Sequence, residues 1–263
     1  MVKRLNLATR AFGGEPEETD PAALAAWIRD NRGRTADIMT YQIDRVLAPQ
    51  IPAGIQTLCA GGKFYGTRIL ESLEGVSVQR AVGEIHVNLH GIIEDAAGIV
   101  VRKKGAWCAL PAPQLLKITD DYYDDPAEWS DAICGAYRTI MRSMRDTGIT
   151  GNVLICDTVE NTEILALYRQ NVFFFPQVQD RENLAALMEH QRQVAVRKER
   201  LRTVLELTGE YSLQKLFIID PDPASIELAL SHLDPDQVST GGYCTGTGET
   251  YWKELVDSSV YLK

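Results

Sequence analysis

Two glycine-rich segments contain the residue types best suited to bind a ligand. The first is Gly61-Gly62-Lys63, followed by Thr67, between a predicted strand and a predicted helix. Glycine lets backbone N–H groups approach an anion closely, and the start of a helix favours negative charge. The spacing matches neither the P-loop nor the dinucleotide-binding motif, so an ordinary strand-to-helix turn is the alternative.

The second glycine-rich segment is a predicted loop over residues 239–249. Its candidate ligand-binding residues are Gly242, Thr245, Gly246 and Thr247. Such a run of glycines and threonines is typical of backbone shaped around a phosphate or a carboxylate. Cys244, in the same loop, is a candidate nucleophile if neighbouring charges lower its pKa. A buried structural cysteine is the alternative.

Two carboxylates follow predicted buried strands directly. Asp157 ends the stretch Asn152–Cys156, and Asp220 ends the stretch 215–219. Open α/β sheets bind ligands beyond the carboxyl ends of their strands, where an acid can hold magnesium or transfer a proton. An Asp in this position also caps the following turn, and that structural interpretation stays open.

A fourth candidate is the polar face of a predicted strand, which carries Glu84, His86, Asn88 and His90. His86 is the candidate acid–base group, and the alternative is an amphipathic strand with one wet face. His86 and His90 would lie about 13 Å apart on a straight strand, too far to share one metal. A metal at this strand would need further ligands from elsewhere, so the sequence assigns no residue as a metal ligand.

Composition excludes several classes of function. The chain of 263 residues has a net charge of −9, which disfavours binding to nucleic acid and to anionic membranes. No apolar run is long enough to span a membrane, and the N-terminal residues lack the apolar core of a signal peptide. Five scattered cysteines without a C-x-x-C pair indicate free thiols. We therefore expect a soluble, cytoplasmic protein.

The first half of the chain predicts a mixture of helices and antiparallel strands. A helix begins at Asp20-Pro21 and stops before Gly33, and a long helix runs from Pro126 to Thr147. Between them, alternating apolar residues predict an antiparallel meander, with hairpin turns at 94–98 and 103–105.

The second half repeats the order strand, Asp, helix, strand, over residues 152–175 and again over 215–239. This order is typical of parallel βαβ units. Between the two copies, residues 181–207 predict one long helix with a polar centre, protruding from the core or packing against another subunit. The basic residues of this helix would contact an anionic ligand, an acidic partner or only solvent. They are Arg192, Arg197, Lys198, Arg200 and Arg202.

These features predict a mixed α/β protein, with an antiparallel meander in residues 1–150 and βαβ units with a partly parallel sheet in residues 151–263. The two parts are separate domains or one fused domain. The favoured function is an enzyme that binds a phosphorylated or otherwise anionic small molecule. The alternatives are a non-catalytic assembly protein that forms homo-oligomers through helix 181–207, and a small-molecule sensor. The sequence identifies no cofactor.

Overall fold

The computed structural model of the chain describes residues 4–32 and 36–262. Numbered in chain order, the strands are β1 (Arg4–Asn6), β2 (Ala8–Glu15), β3 (Cys59–Gly61), β4 (Leu73–Ser77), β5 (Arg80–Val87), β6 (Trp107–Pro111), β7 (Thr119–Asp120), β8 (Asn152–Cys156), β9 (Val172–Pro176), β10 (Gln193–Arg197), β11 (Lys215–Ile219), β12 (Val238–Thr245) and β13 (Val260–Leu262). The helices are α1 (Pro21–Asp30), α2 (Ile38–Leu47), α3 (Gln50–Ala53), α4 (Gly66–Ser72), α5 (His90–Arg102), α6 (Pro126–Thr147), α7 (Asn161–Leu167), α8 (Arg181–His190), α9 (Leu201–Leu207), α10 (Pro223–Leu230) and α11 (Gly248–Ser258).

Parallel strands form two runs of four. One run has the order β10-β11-β12-β2, and the other has the order β3-β6-β8-β9. A parallel bridge between Arg10 and Thr57 joins β2 to the residues before β3, and the Ala11 N–H donates to the Thr57 carbonyl at 2.8 Å. The fold is therefore mixed α/β with parallel βαβ units, as predicted.

Side-chain amides close the remaining gap, between β9 and β10. The Phe174 N–H donates to Oε1 of Gln191 at 2.7 Å, while Nε2 of Gln191 donates to the Phe174 carbonyl at 3.0 Å. Gln179 bridges the same strands, because its Nε2 donates to the Ala195 carbonyl and its Oε1 accepts from the Arg197 N–H. The eight strands thus form a closed parallel (β/α)8 barrel, a closure that the sequence did not predict.

The interior of the barrel is filled mainly by aromatic side chains. The ring centroid of Phe12 lies 5.1 Å from that of Phe173, 5.3 Å from Phe175 and 5.4 Å from Phe217. These residues come from β2, β9 and β11, so the packing draws on strands far apart in sequence. The interior is a packed core, and space for a ligand is left at the ends of the ring.

Local signals placed two helices correctly. The Asp20 carboxylate accepts from the N–H groups of Ala22 and Ala23 at 3.2 and 3.1 Å, at the start of α1. Helix α6 covers 126–147, with Asp125 as its cap and Gly148, at φ +117°, as its end. The predicted stop at Gly33 lies outside the described residues.

The predicted antiparallel meander is only partly right. Strands β4 and β5 do form an antiparallel hairpin, in which Leu73 pairs with Val87 and Ser77 with Arg80. The hairpin turn predicted at 94–98 is wrong, because these residues lie inside helix α5. The buried side chains Ile92, Ala96 and Ile99 follow helical spacing, which the strand interpretation overlooked.

The long helix predicted over 181–207 is wrong. Helix α8 ends at His190, strand β10 occupies 193–197, and α9 begins at Leu201. The reason is burial, since the central residues of β10 are enclosed on both faces of the barrel strand, as parallel strands usually are. No long helix protrudes in this region, so the predicted oligomer surface is not present in that form.

The ring draws strands from both halves of the chain. Strand β6 of the first half pairs with β8 of the second, and β12 pairs with β2. Of the two domain predictions made from the sequence, we therefore propose the single fused domain. No helix among the described residues has the length and apolar character needed to cross a membrane.

Candidate functional site

Parallel strands bring all their carboxyl ends to one end of the barrel, which we call the mouth. Six polar side chains lie at this end, each at or just after the last residue of a strand. In the order β2, β3, β8, β9, β10 and β11, they are Glu15, Lys63, Asp157, Gln177, Arg197 and Asp220. In (β/α)8 barrels the loops at this end form the active site, whereas the opposite end serves stability. The mouth is therefore the candidate binding site.

Glu15 brings the two glycine-rich segments together. Its Oε1 accepts from the Lys63 N–H at 2.7 Å and also from the hydroxyl of Tyr243. Its backbone carbonyl accepts from the Gly246 N–H at 2.9 Å. The segments at 61–63 and 243–246 thus lie on either side of β2, and two of their amides already have partners within the protein.

The glycines in both segments are required by close packing of the chain. A Cβ atom on Gly62 would fall 1.9 Å from the Gly14 carbonyl oxygen, and one on Gly242 would fall 2.3 Å from the Tyr251 hydroxyl. Gly61, at φ +74°, would place its Cβ 2.3 Å from the Ala109 carbonyl. These contacts account for the glycines without a ligand.

The loop predicted over 239–249 is mostly strand, which corrects the sequence interpretation. Gly242, Cys244 and Thr245 belong to β12, and only the short link containing Gly246 and Thr247 precedes α11. The alternation of small residues that resembled a loop reflects a strand packed closely against α11 and against Phe12.

Lys63 and Asp157 form an ion pair across the mouth. Lys63 Nζ lies 3.9 Å from Asp157 Oδ1, and the two side chains are 40% and 56% exposed. Such an exposed pair contributes little to stability, so both groups remain available to a ligand. A cavity of about 280 Å³ beside them is also lined by Gly66, Pro111 and Leu116. Thr67 is exposed in the first turn of α4, next to this cavity wall.

Asp220 is held in a strained backbone conformation at the end of β11. Its φ is +50°, and its Oδ1 accepts from the Tyr251 hydroxyl at 2.5 Å. Desolvation raises the pKa of this carboxyl, although part of the side chain is exposed, while Tyr251, Arg197 and Lys198 act in the opposite direction. Strain and a shifted pKa at a strand end are features that cluster at functional sites.

Gln177 and Arg197 add hydrogen-bond donors to the mouth. Arg197 Nη2 donates to Gln177 Oε1 at 3.3 Å, and Arg197 itself is exposed. Gln177 Nε2 is buried and has no partner among the described residues. An unpartnered buried amide is costly, so a bound ligand or water that accepts from it would be favoured.

Two of the predicted catalytic residues have surroundings unlike those predicted. Cys244 is buried, and burial, with Asp220 and Glu17 nearby, raises the pKa of its thiol to about 11. That is the reverse of the lowered pKa that an activated nucleophile needs. His86 is exposed on the hairpin, with Nε2 3.7 Å from Glu84 and no described contact to the mouth.

No group of three or more His, Cys, Asp or Glu side chains among the described residues is arranged to hold a metal ion. Sequence reasoning also missed several residues of the mouth, namely Glu15, Gln177, Tyr243 and Tyr251, and it named Arg197 only as one basic residue of the predicted long helix. One signal was available. Arg197 follows the apolar run Val194-Ala195-Val196, just as Asp157 follows a buried apolar run. The prediction of a long helix over residues 181–207 obscured this similarity.

Comparisons with known proteins bear on the fold alone. No family model matches the chain, and no curated protein sequence matches it. Among solved structures, it is similar to a Listeria monocytogenes protein assigned as a vitamin-B12-independent methionine synthase, with a TM-score of 0.64 at 16% identity over 96% of this chain and 95% of the other. It is also similar to a B12-independent methionine synthase from a Shewanella species in complex with selenomethionine, with a TM-score of 0.55 at 13% identity over 97% and 96%. The chain therefore has the α/β fold of these proteins.

Proposed function

We propose that this protein is an enzyme that binds a small molecule with an anionic group in the mouth of the barrel. The observation that carries the proposal is the convergence of Lys63, Asp157, Gln177, Arg197 and Asp220 at the carboxyl ends of five strands. That end holds the active site in characterised (β/α)8 enzymes. Fold likeness alone does not define an activity, which depends on these side chains.

The charges in the mouth favour a ligand that carries both signs. Lys63 and Arg197 are exposed cations, suited to a carboxylate or phosphate, and Gln177 Nε2 offers a further donor. Asp157 can accept from an ammonium group. The Shewanella protein of the same fold is described in complex with selenomethionine, an amino acid that carries both charges. We therefore favour an amino-acid-like substrate over a polyphosphate.

Asp220 is our choice for the proton-transfer group. Its raised pKa brings the carboxyl closer to neutral pH, which improves a carboxylate as a general base. The Tyr251 hydroxyl, at 2.5 Å, orients it. Asp157 is paired with Lys63 and suits a binding role better. Cys244 and His86 have no part in this proposal.

The test is a thermal-shift and calorimetric screen of amino acids, small carboxylates and sugar phosphates. We expect an amino-acid-like ligand to raise the Tm, and Arg197→Met to weaken its binding at least tenfold, because the lost contact is a charged hydrogen bond of about 1.5–3 kcal/mol. Arg202→Met is the matched control, since Arg202 is an exposed arginine on α9.

Activity separates an enzyme from a sensor. For the ligand found in the screen, Asp220→Asn should abolish turnover and leave Kd within a few-fold of the parent value. Binding without turnover in the parent protein would support the sensor instead. Equal losses of binding in Arg197→Met and Arg202→Met, or no stabilising ligand in any class, would overturn the mouth as the site.

A further inference from the structure

Arg10 is an unpaired cation in the interior of the barrel. It points inward from β2, near the end of the ring opposite the mouth, and only 6% of it is exposed. Its Nε and Nη2 atoms are buried and have no hydrogen-bond partner among the described residues, and no described Asp or Glu forms an ion pair with it. Buried charges are normally paired, so this arrangement calls for an explanation.

Aromatic rings surround the guanidinium. Its Cζ lies 4.1 Å from the ring centroid of Trp107, 4.9 Å from Phe173, 5.0 Å from Phe12 and 5.3 Å from Phe217. Cation–π contacts offset part of the cost of burial, but ring faces cannot accept the in-plane hydrogen bonds of Nε and Nη2. The donors are therefore still unsatisfied.

The neighbouring groups supply no counter-charge. Burial raises the pKa of the Cys59 thiol to about 12, so this residue is neutral near pH 7. Ser239, on β12, pairs in register with Phe217 on β11, and its buried hydroxyl also has no partner among the described residues. Ser239 also pairs in register with Ala8, two residues before Arg10 on β2, so the Ser239 and Arg10 side chains lie on the same inward face of neighbouring strands.

We propose that Arg10 and Ser239 form a binding site for a monovalent, halide-sized anion at the end of the ring opposite the mouth. A single negative charge balances the guanidinium, and the two N–H groups and the hydroxyl would donate to it. A phosphate would bring more charge than one cation offsets in apolar surroundings. Access would run through the end of the ring opposite the mouth, where Ala8 and Gln193 are exposed. The site is separate from the proposed function.

The first test uses bromide and chloride with the full chain. At constant ionic strength, replacing sodium gluconate with sodium bromide or chloride should raise the Tm with the logarithm of the halide concentration above Kd, by about 5 °C at a hundredfold excess over Kd. Gluconate is too large for the interior and serves as the reference anion. Crystals grown with bromide should show an anomalous peak within hydrogen-bond distance of Arg10 Nε or Nη2.

Variants separate this site from general salt effects. Arg10→Met should abolish the halide response and should be no less stable than the parent in gluconate, because it removes an uncompensated charge. Ser239→Ala should fold normally and raise the halide Kd about tenfold, as expected for one lost hydrogen bond to a charged ion. The exposed control Arg202→Met should keep the full response.

Three outcomes would overturn the site. The first is ordered water alone beside Arg10 in crystals at saturating bromide. The second is a halide response that persists in Arg10→Met. The third is a bromide peak without any change of Tm in solution, which would mark an adventitious ion only. The crystal result does not depend on the variants, so it stands even if one of them fails to fold.

Discussion

Glu163, on α7, is a buried carboxyl that supports the mouth without facing it. Its Oε1 accepts from the Gln114 N–H at 2.8 Å, and its Oε2 accepts from Gln114 Nε2 at 3.3 Å. Gln114 Nε2 also donates to the Thr158 carbonyl at 3.1 Å. Glu163 therefore holds, through Gln114, the segment that carries Asp157. Burial raises the pKa of Glu163 to about 7.

This shift predicts a pH dependence of stability at the residue scale. Because the pKa is higher in the folded than in the unfolded state, the stabilising contribution is complete below about 4.5 and is lost as the pH rises through about 7. Relative to Glu163→Gln, the parent protein should lose on the order of 3 kcal/mol of unfolding free energy between pH 4.5 and 8. Urea denaturation of both proteins across this range measures the difference.

The control for this prediction is Glu227→Gln, at an exposed glutamate on α10, far from the contacts of Glu163. Its unfolding free energy should follow that of the parent protein at every pH. If the parent and Glu163→Gln gave parallel profiles, the Glu163 carboxylate would have to be solvated or paired in the folded protein, contrary to its 8% exposure.

Among the elements, the pair β9 and β10 is unusual because side-chain amides take the place of backbone pairing. Gln191 alone satisfies the Phe174 N–H and carbonyl and the Gln193 carbonyl, at 2.7, 3.0 and 2.8 Å. An amide side chain has both donors and an acceptor, so it can bridge a gap too wide for a direct ladder. This junction is therefore held by a few side chains.

Replacing Gln191 should therefore destabilise the folded protein. Gln191 is 1% exposed, so Gln191→Leu would leave the N–H and the carbonyl of Phe174 buried without partners, and we expect a loss of about 3 kcal/mol or more in unfolding free energy. Chemical denaturation gives the value, and hydrogen exchange at Phe174 should accelerate first. Gln214→Leu, at an exposed glutamine, should change stability by less than about 0.5 kcal/mol.

Elements with strong local signals were the ones that the sequence predicted well. Helix α6 has a capping Asp125, a first-turn Pro126 and a terminal Gly148, so neighbouring residues alone define its ends. Strand β10 has no such signal. Its apolar centre is short and flanked by polar residues, and only burial within the ring makes it a strand.

At the scale of the whole molecule, the barrel is closed by residues at the two ends of the chain. In this closure Ser239 pairs with Ala8, and Gly241 pairs with Arg10. No local pattern encodes contacts of such sequence separation, which explains why the sequence predicted a partly parallel sheet and missed the ring. Lys63, Asp157 and Asp220 were found because each follows a strand, whereas Glu15 and Gln177 become recognisable only after closure.

The closed ring also predicts how two fragments of the chain behave when they are produced separately. A fragment of residues 1–150 would lack β12 as the partner of β2 and β8 as the partner of β6. We expect neither this fragment nor 151–263 to unfold cooperatively on its own when followed by circular dichroism. A cooperative thermal transition in fragment 1–150 would instead establish two independent domains.

A circular permutant is the matched control for the fragments. It begins at Gly151 and joins residue 263 to residue 1 through a flexible linker, so the chain is cut at the same place but keeps every strand. Arg4 pairs with Leu262, which keeps this linker short. We expect the permutant to unfold in one cooperative transition, because loss of partner strands, rather than the cut, destabilises the fragments.

The pairing of β1 with β13 has a practical consequence for attaching the molecule to a surface. Both strands lie at the bottom of the ring, since β1 immediately precedes β2 and β13 follows the descending helix α11. An affinity tag or a biotin anchor at either terminus would orient every molecule the same way on a sensor chip. The opening of the barrel would then point into the flowing solution, away from the matrix.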